Sequence, residues 1–167
     1  MSEPSGIALY VHVPFCRKKC DYCDFFSVGS DTCAGYASLR DDYVSSVLNE
    51  VSFSARKYVV LAWNSIYFGG GTPSQLSAAQ IERLLRGIAA AAPVAPDAEI
   101  TLEVNPDDVT ESVLAACARA GVNRISMGVQ AFDQRALDSV RRGASATSAL
   151  HALKRLNGCW HGAAGRR

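Results

Sequence analysis

The sequence predicts an α/β fold in which helices cover a parallel sheet. Short segments rich in β-branched and aromatic residues alternate with longer segments whose apolar residues recur every three or four positions. Residue types that are common in binding sites follow the predicted strands. Parallel sheets gather such residues at the carboxyl ends of their strands. The regular alternation therefore favours a parallel sheet that is either open or curved into a barrel.

Four segments have the composition of short buried strands, and they cover residues 7–13, 64–68, 99–104 and 124–128. The predicted helices cover about 36–57, 77–92, 111–120, 133–142 and 145–157. Ser77, followed by Gln80 three residues later, has the form of a capping box, and Gly121 is well placed to end the third helix.

The composition is that of a globular domain. The chain has 167 residues, of which 49% are hydrophobic and 20% charged, which is enough to bury a sizeable core. A net charge of +1 gives no electrostatic reason to expect nucleic acid or a membrane surface as a partner. The N-terminus lacks the basic and apolar regions of a signal peptide, and no apolar run could span a membrane. A cytoplasmic location is expected.

Three of the six cysteines fall within eight residues, as Cys16, Cys20 and Cys23. Clustered cysteines in a chain without a secretion signal are typical of metal binding rather than of disulfides. Thiolates select zinc, copper(I) or iron–sulfur clusters, and a closed zinc site needs a fourth ligand, for which His12 is the nearest candidate. Three thiolates on a four-iron cluster would instead leave one iron open to a substrate or cofactor.

Polar or glycine residues also lie at or just after the ends of the next three strands. Gly70, Gly71 and Thr72 could let a ligand approach the backbone closely, or could simply form a tight turn. Glu103 and Gln130 could be ligand groups or solvated strand ends. Their common position at strand ends favours one site that also includes the cysteines.

The C-x3-C-x2-C spacing, with Tyr22 before the third cysteine, resembles the signature of the radical S-adenosylmethionine (SAM) superfamily. Residues 9–16 resemble the entry strand of its oxygen-independent coproporphyrinogen III oxidase-like family. The resemblance implies that the three cysteines hold a [4Fe–4S] cluster whose fourth iron binds SAM. It also implies a partial (β/α) barrel with about the first four βα units. The implied SAM contacts are Tyr10, Tyr22, Gly70, Gly71, Thr72, Glu103, Gln130 and Arg142.

Several of these residues also have simpler interpretations. Tyr10 and Tyr22 could serve mainly in packing, and Arg142 could be a solvated arginine at the end of a helix. The resemblance favours the cofactor role for all three.

Phe25 separates two branches of that family. The resemblance implies a further cysteine at this position in the oxidase branch and an aromatic or other residue in the heme chaperone branch. The chain is therefore expected to bind heme as cargo and pass it to an acceptor protein, with an electron donor serving SAM cleavage. The enzymatic alternative is oxidative decarboxylation of coproporphyrinogen III to protoporphyrinogen IX in porphyrin biosynthesis.

The resemblance covers about residues 6–157. It implies that 1–157 form the N-terminal part of the radical SAM domain, that 158–167 are an aberrant or disordered tail, and that the family's C-terminal domain is absent. A truncated, nonfunctional fragment is therefore a third interpretation. Among the other cysteines, Cys117 is expected to be a small buried hydrophobe and Cys33 a poor fourth ligand.

Overall fold

Parallel strands form the centre of the computed structural model, which describes residues 6–30 and 35–166. In chain order the strands are β1 (Ile7–Val13), β2 (Phe15–Cys16), β3 (Val28–Gly29), β4 (Trp63–Gly70), β5 (Val94–Val104), β6 (Arg124–Met127) and β7 (Ala163–Arg166). Five of them form one parallel sheet in the order β1-β4-β5-β6-β7, and β2 pairs with β3 in parallel beside it. The predicted α/β fold with a parallel sheet is confirmed.

Among the described residues, five α-helices connect these strands. They are α1 (Tyr36–Lys57), α2 (Ala78–Ala91), α3 (Glu111–Arg119), α4 (Gln134–Ser139) and α5 (Ala146–Cys159). The predicted capping box of α2 is confirmed, because Ser77 and Gln80 each bond the other's backbone N–H. Gly121 follows α3 with φ 95°, the left-handed conformation expected of a residue that ends a helix.

The two faces of the sheet differ in chemistry because successive strand residues point to opposite sides. On the face packed against the helices, buried apolar side chains such as Ile66, Leu102 and Ile125 join one hydrophobic core with residues of α1, α2, α3 and α5. We call this the helix-covered face. Tyr67 pairs with Thr101 and belongs to the opposite face, which we call the polar face.

Helix α4 is shorter than the sequence predicts. It ends at Ser139 instead of near residue 142. Arg141 has φ 49°, and the N–H of Arg142 bonds the carbonyl of Leu137. The chain therefore turns tightly after α4, which directs Arg142 toward the strand ends instead of along the helix surface.

Of the segment interpreted from the sequence as a tail, the structure describes residues 158–166. Helix α5 continues through Cys159, Trp160 is buried, and β7 pairs with β6. Gly162 makes this pairing possible, since a Cβ atom there would lie 2.3 Å from the carbonyl oxygen of Asn123. Within residues 6–30 and 35–166, no helix is both long and apolar enough to cross a membrane.

Candidate functional site

The cysteine loop, residues 14–30, leaves the carboxyl end of β1 and leads toward α1. Cys16 and Cys20 are buried and Cys23 is half-buried, and all three are free thiols. Hydrogen bonds from the Tyr36 hydroxyl and the Ser30 N–H to the Cys16 carbonyl fix the first cysteine. The loop therefore holds its thiols in place without a disulfide.

Two of the thiols contact residues that follow β4 and α4. The Thr72 hydroxyl lies 3.5 Å from Cys16 Sγ, and Arg142 Nη1 lies 3.6 Å from Cys20 Sγ. A hydroxyl and a guanidinium both stabilise a thiolate, or a sulfur bound to iron, by hydrogen bonding. The cysteines therefore belong to the same site as Thr72 and Arg142.

A cavity of about 260 Å³ lies beside these thiols at the carboxyl ends of β4, β5 and β6. It is lined by seven of the eight predicted cofactor-contact residues: Tyr22, Gly70, Gly71, Thr72, Glu103, Gln130 and Arg142. Cys23, Phe25 and Asn105 also line it. Side chains from distant parts of the sequence therefore converge on one pocket, as expected for a parallel sheet.

Tyr10 is the predicted residue that does not line this cavity. Its hydroxyl donates to Nδ1 of His12 at 3.1 Å, and Nε2 of His12 donates to the Phe26 carbonyl at 2.9 Å. Because both ring nitrogens of His12 have partners, this arrangement does not support His12 as the fourth ligand of a zinc site.

Close packing requires glycine at the end of β4. Gly70 has φ 111°, and a Cβ atom on Gly71 would lie 2.8 Å from the Phe15 carbonyl oxygen. The N–H of Gly71 also bonds the Val13 carbonyl at 2.8 Å. These glycines therefore let the end of β4 pack against β1 and the start of the cysteine loop, and they also line the cavity.

Glu103 is held by a residue that the sequence did not single out. The Tyr67 hydroxyl donates to Glu103 Oε1 at 2.5 Å, and Glu103 is 7% exposed. Tyr67 pairs with Thr101, two positions before Glu103, so both side chains occupy the polar face. The alternation of strand residues between the two faces could have placed Tyr67 beside Glu103, but only once the register of β4 against β5 was known.

Arg142 connects several strand ends. Its Nη2 donates to Asn105 Oδ1 at 2.5 Å and to the Gly128 carbonyl at 2.8 Å. Its Nε is buried and has no hydrogen-bond partner among the described residues. Arg142 also lines the cavity, where its positive charge suits an anionic group of a ligand. Arg142 is therefore part of the site and not a solvated arginine at a helix end.

The end of β6 is shaped to admit two side chains. Gln130 has φ 67°, a conformation that costs a residue other than glycine about 1–3 kcal/mol. A Cβ atom on Gly128 would lie 3.1 Å from Gln130 Nε2 and 3.2 Å from Arg142 Nη2. Glycine at this position therefore leaves room for both polar groups at the rim of the cavity.

The phenol of Tyr22 stays neutral at physiological pH. Partial burial raises the pKa of Tyr22, while the nearby positive charge of Arg142 opposes this shift and the Cys20 thiol adds to it. Tyr22 is therefore a hydrogen-bonding group at the rim of the site and does not contribute negative charge.

Among the described residues, no group of three or more His, Cys, Asp or Glu side chains is arranged around a single metal ion. A four-iron cluster does not require its cysteines to surround one metal ion, because each cysteine binds its own iron atom. The half-buried Cys23 and the buried Cys16 and Cys20 are compatible with that pattern. Cys33 lies outside the described residues.

The model of the radical SAM superfamily matches residues 10–160, so the chain belongs to this superfamily. The chain is 40% identical to heme chaperone HemW of Escherichia coli K12 over 152 residues, which are 91% of this chain and 39% of that protein. It is 39% identical to HemW of Lactococcus lactis, with 88% of this chain and 36% of that protein covered. The chain thus spans less than half the length of these relatives.

A solved structure supports the same assignment. Coproporphyrinogen III oxidase (HemN) from Escherichia coli, described as a radical SAM enzyme, matches with a TM-score of 0.85 and 28% identity. The match covers 96% of this chain and 36% of the HemN chain. The parallel sheet and its connecting helices are therefore those of the radical SAM fold.

Superfamily membership implies a [4Fe–4S] cluster and SAM, and the residues present fit both. Cys23 lines a cavity that also offers glycine backbone, the Glu103 carboxylate and the Arg142 guanidinium. The Cys16 and Cys20 thiols contact Thr72 and Arg142 of the same lining. SAM carries a carboxylate, an ammonium and a sulfonium, which complement this mixture of charges.

Proposed function

We propose that this chain forms the cluster-binding and SAM-binding part of a heme chaperone. The observation that carries the proposal is Phe25, which stands where the oxidase branch is expected to have a further cysteine. Its ring lines the cavity beside Cys23. The identity of 40% to HemW of Escherichia coli supports the same branch.

In this proposal Cys16, Cys20 and Cys23 bind the cluster, which supplies the electron for reductive cleavage of SAM. Thr72 and Arg142 hydrogen bond with two of the ligand sulfurs and thereby stabilise their negative charge.

The remaining cavity residues bind and orient SAM. The positive charge of Arg142 attracts the carboxylate of the methionine moiety, and the Glu103 carboxylate attracts its ammonium group. The backbone of Gly70 and Gly71 approaches the same moiety because neither residue has a side chain in the way.

Heme requires an apolar surface, and two adjacent rings provide one next to the cavity. Phe25 is 57% exposed and Phe26 is 72% exposed. Exposed aromatic rings suit the flat face of a macrocycle. We assign the first contact of heme to this pair.

The proposal is tested by reconstituting the chain anaerobically with iron and sulfide and then titrating it with heme. We expect saturable heme binding that weakens by about tenfold or more in Phe25→Ala, because a buried aromatic contact contributes about 1.5–3 kcal/mol. Phe53→Ala removes an equally exposed ring on α1 and serves as the matched control. Unchanged heme affinity in Phe25→Ala would contradict the assignment.

The second candidate function is coproporphyrinogen III oxidation, which the TM-score of 0.85 to HemN favours. The same reconstituted sample is incubated with coproporphyrinogen III, SAM and a reductant, and the products are separated by chromatography. We expect no turnover. Formation of protoporphyrinogen IX over many cycles would replace the chaperone proposal by the oxidase.

A further inference from the structure

We propose that Asp108 is a positioning residue that anchors the cysteine loop to the glycine loop, residues 69–72, and that its pairing with Arg17 sets the local charge beside the cluster. This inference rests on the proposed cluster site. Asp108 lies in the short 3₁₀ helix Pro106–Asp108, which directly follows β5.

The Asp108 carboxylate receives three hydrogen bonds from two other segments. Arg17, the residue after Cys16, donates to Oδ1 at 2.5 Å. Ser74 and Gln75, which follow the glycine loop, both donate to Oδ2 at 2.8 Å. One carboxylate thus joins the cysteine loop, the segment after β4 and the segment after β5.

The burial of the two charged partners is unequal. The Asp108 side chain is 4% exposed, whereas the Arg17 side chain is 60% exposed. A buried carboxylate depends on its donors, because an unpaired charge in the protein interior is strongly unfavourable. Asp108 therefore holds its partners firmly, and Arg17 is the partner that comes from the cysteine loop.

Asp108 is linked through hydrogen-bonded neighbours to the residues that contact the cysteine sulfurs. The Ser74 hydroxyl also accepts a hydrogen bond from the N–H of Asn105 at 3.1 Å, and Asn105 binds Arg142. Thr72, two residues before Ser74, contacts Cys16 Sγ. Asp108 consequently supports both residues that contact ligand sulfurs, although it does not touch the sulfurs itself.

The reduction potential of the cluster responds to the charges of this pair, and this response distinguishes an electrostatic effect from a loss of structure. The Arg17–Asp108 pair is neutral overall, and both Arg17 and Asp108 act electrostatically on Tyr36 together with Cys16. Neutralising Asp108 leaves a net positive charge, which favours the reduced cluster and raises its reduction potential. Neutralising Arg17 leaves a net negative charge and lowers the potential. The two substitutions act in opposite directions.

The first test measures the cluster potential by anaerobic redox titration with EPR, in the absence of SAM. We expect Asp108→Asn to shift the potential upward, Arg17→Gln to shift it downward, and the double variant to return it close to the wild-type value. Arg17→Lys keeps the charge and should behave like the wild type. Shifts of the same sign in both single variants would overturn the proposal.

Asp107→Asn is the matched control, because the neighbouring Asp107 is exposed and loses the same charge. We expect it to change the potential much less than Asp108→Asn does. An equal shift in the two variants would show that proximity in sequence, and not the anchor, controls the potential.

The second test does not need the cluster. In the cluster-free chain, we expect Asp108→Asn to accelerate amide hydrogen exchange of residues 15–20 by at least about tenfold, since it weakens charge-assisted hydrogen bonds. Asp107→Asn should leave that exchange unchanged. Unaltered exchange in Asp108→Asn would refute the anchor. If the wild type assembles no cluster, the proposed function fails while this test still decides the anchor.

Discussion

On the helix-covered face of the sheet, Ile66, Leu102 and Ile125 are fully buried and are held by packing alone. On the polar face, Tyr67 and Glu103 are held by a hydrogen bond, and the strand ends above them form a cavity. The same strands therefore supply both environments, because alternate residues point to opposite sides. Substitutions one position apart in a strand should therefore affect different properties of the molecule.

The largest effect is expected on the helix-covered face. Leu102→Ala removes a side chain with 0% exposure and should lower the free energy of unfolding by about 2–5 kcal/mol, since it leaves a cavity in the core. Urea unfolding of the cluster-free chain measures this value. Leu150→Ala, at an exposed position on α5, is the control and should cost less than about 1 kcal/mol. A cost below that value for Leu102→Ala would contradict the packing account.

A smaller, pH-dependent effect is expected from Cys117, which is also part of the helix-covered core. Burial raises the pKa of Cys117 from 9.0 to about 11. The folded chain therefore keeps a proton that the unfolded chain loses, so stability is full below about pH 9 and declines as pH rises toward 11.

We expect Cys117→Ala to reduce the decline in stability between pH 8 and about pH 10.5 by up to about 2 kcal/mol. Cys159→Ala removes an exposed thiol and should leave the decline unchanged. Urea unfolding at the two pH values measures the difference. A decline that is the same in Cys117→Ala and in the wild type would show that this thiol does not contribute.

The smallest of these effects is expected on the polar face. Tyr67→Phe removes the hydroxyl that holds Glu103, and it should weaken SAM binding to the reconstituted chain by about threefold to tenfold, the effect of losing one hydrogen bond. Calorimetry or the SAM-induced change in the EPR spectrum measures the affinity. Tyr58→Phe alters an exposed tyrosine after α1 and is the matched control. Equal SAM affinities for Tyr67→Phe and the wild type would contradict the role of Tyr67 in positioning Glu103.

Much of the fold could be predicted from the sequence because its signals are local. Strand β1 and helix α1 have the predicted bounds, and the capping box of α2 follows from Ser77 and Gln80 alone. The meeting of the cysteines with the residues after β4, β5 and β6 followed from a general property of parallel sheets.

The remaining features depend on contacts between distant parts of the chain. The early end of α4 depends on the left-handed conformation of Arg141, and α4 alone gives no signal for it. Strand β7 forms because β6 offers an edge for pairing. Asp108 has no local motif, and its role becomes visible only when Arg17 and Ser74 are brought to it.

Cys16, Cys20 and Cys23 are the proposed ligands of an iron–sulfur cluster. The most direct measurement is the visible absorption and the EPR spectrum of Cys20→Ser after anaerobic reconstitution, compared with Cys159→Ser, which changes an exposed cysteine in α5. We predict that Cys20→Ser loses the cluster absorption and the EPR signal of the reduced cluster, whereas Cys159→Ser keeps both. A Cys20→Ser chain with both signals at the wild-type level would contradict the ligand assignment.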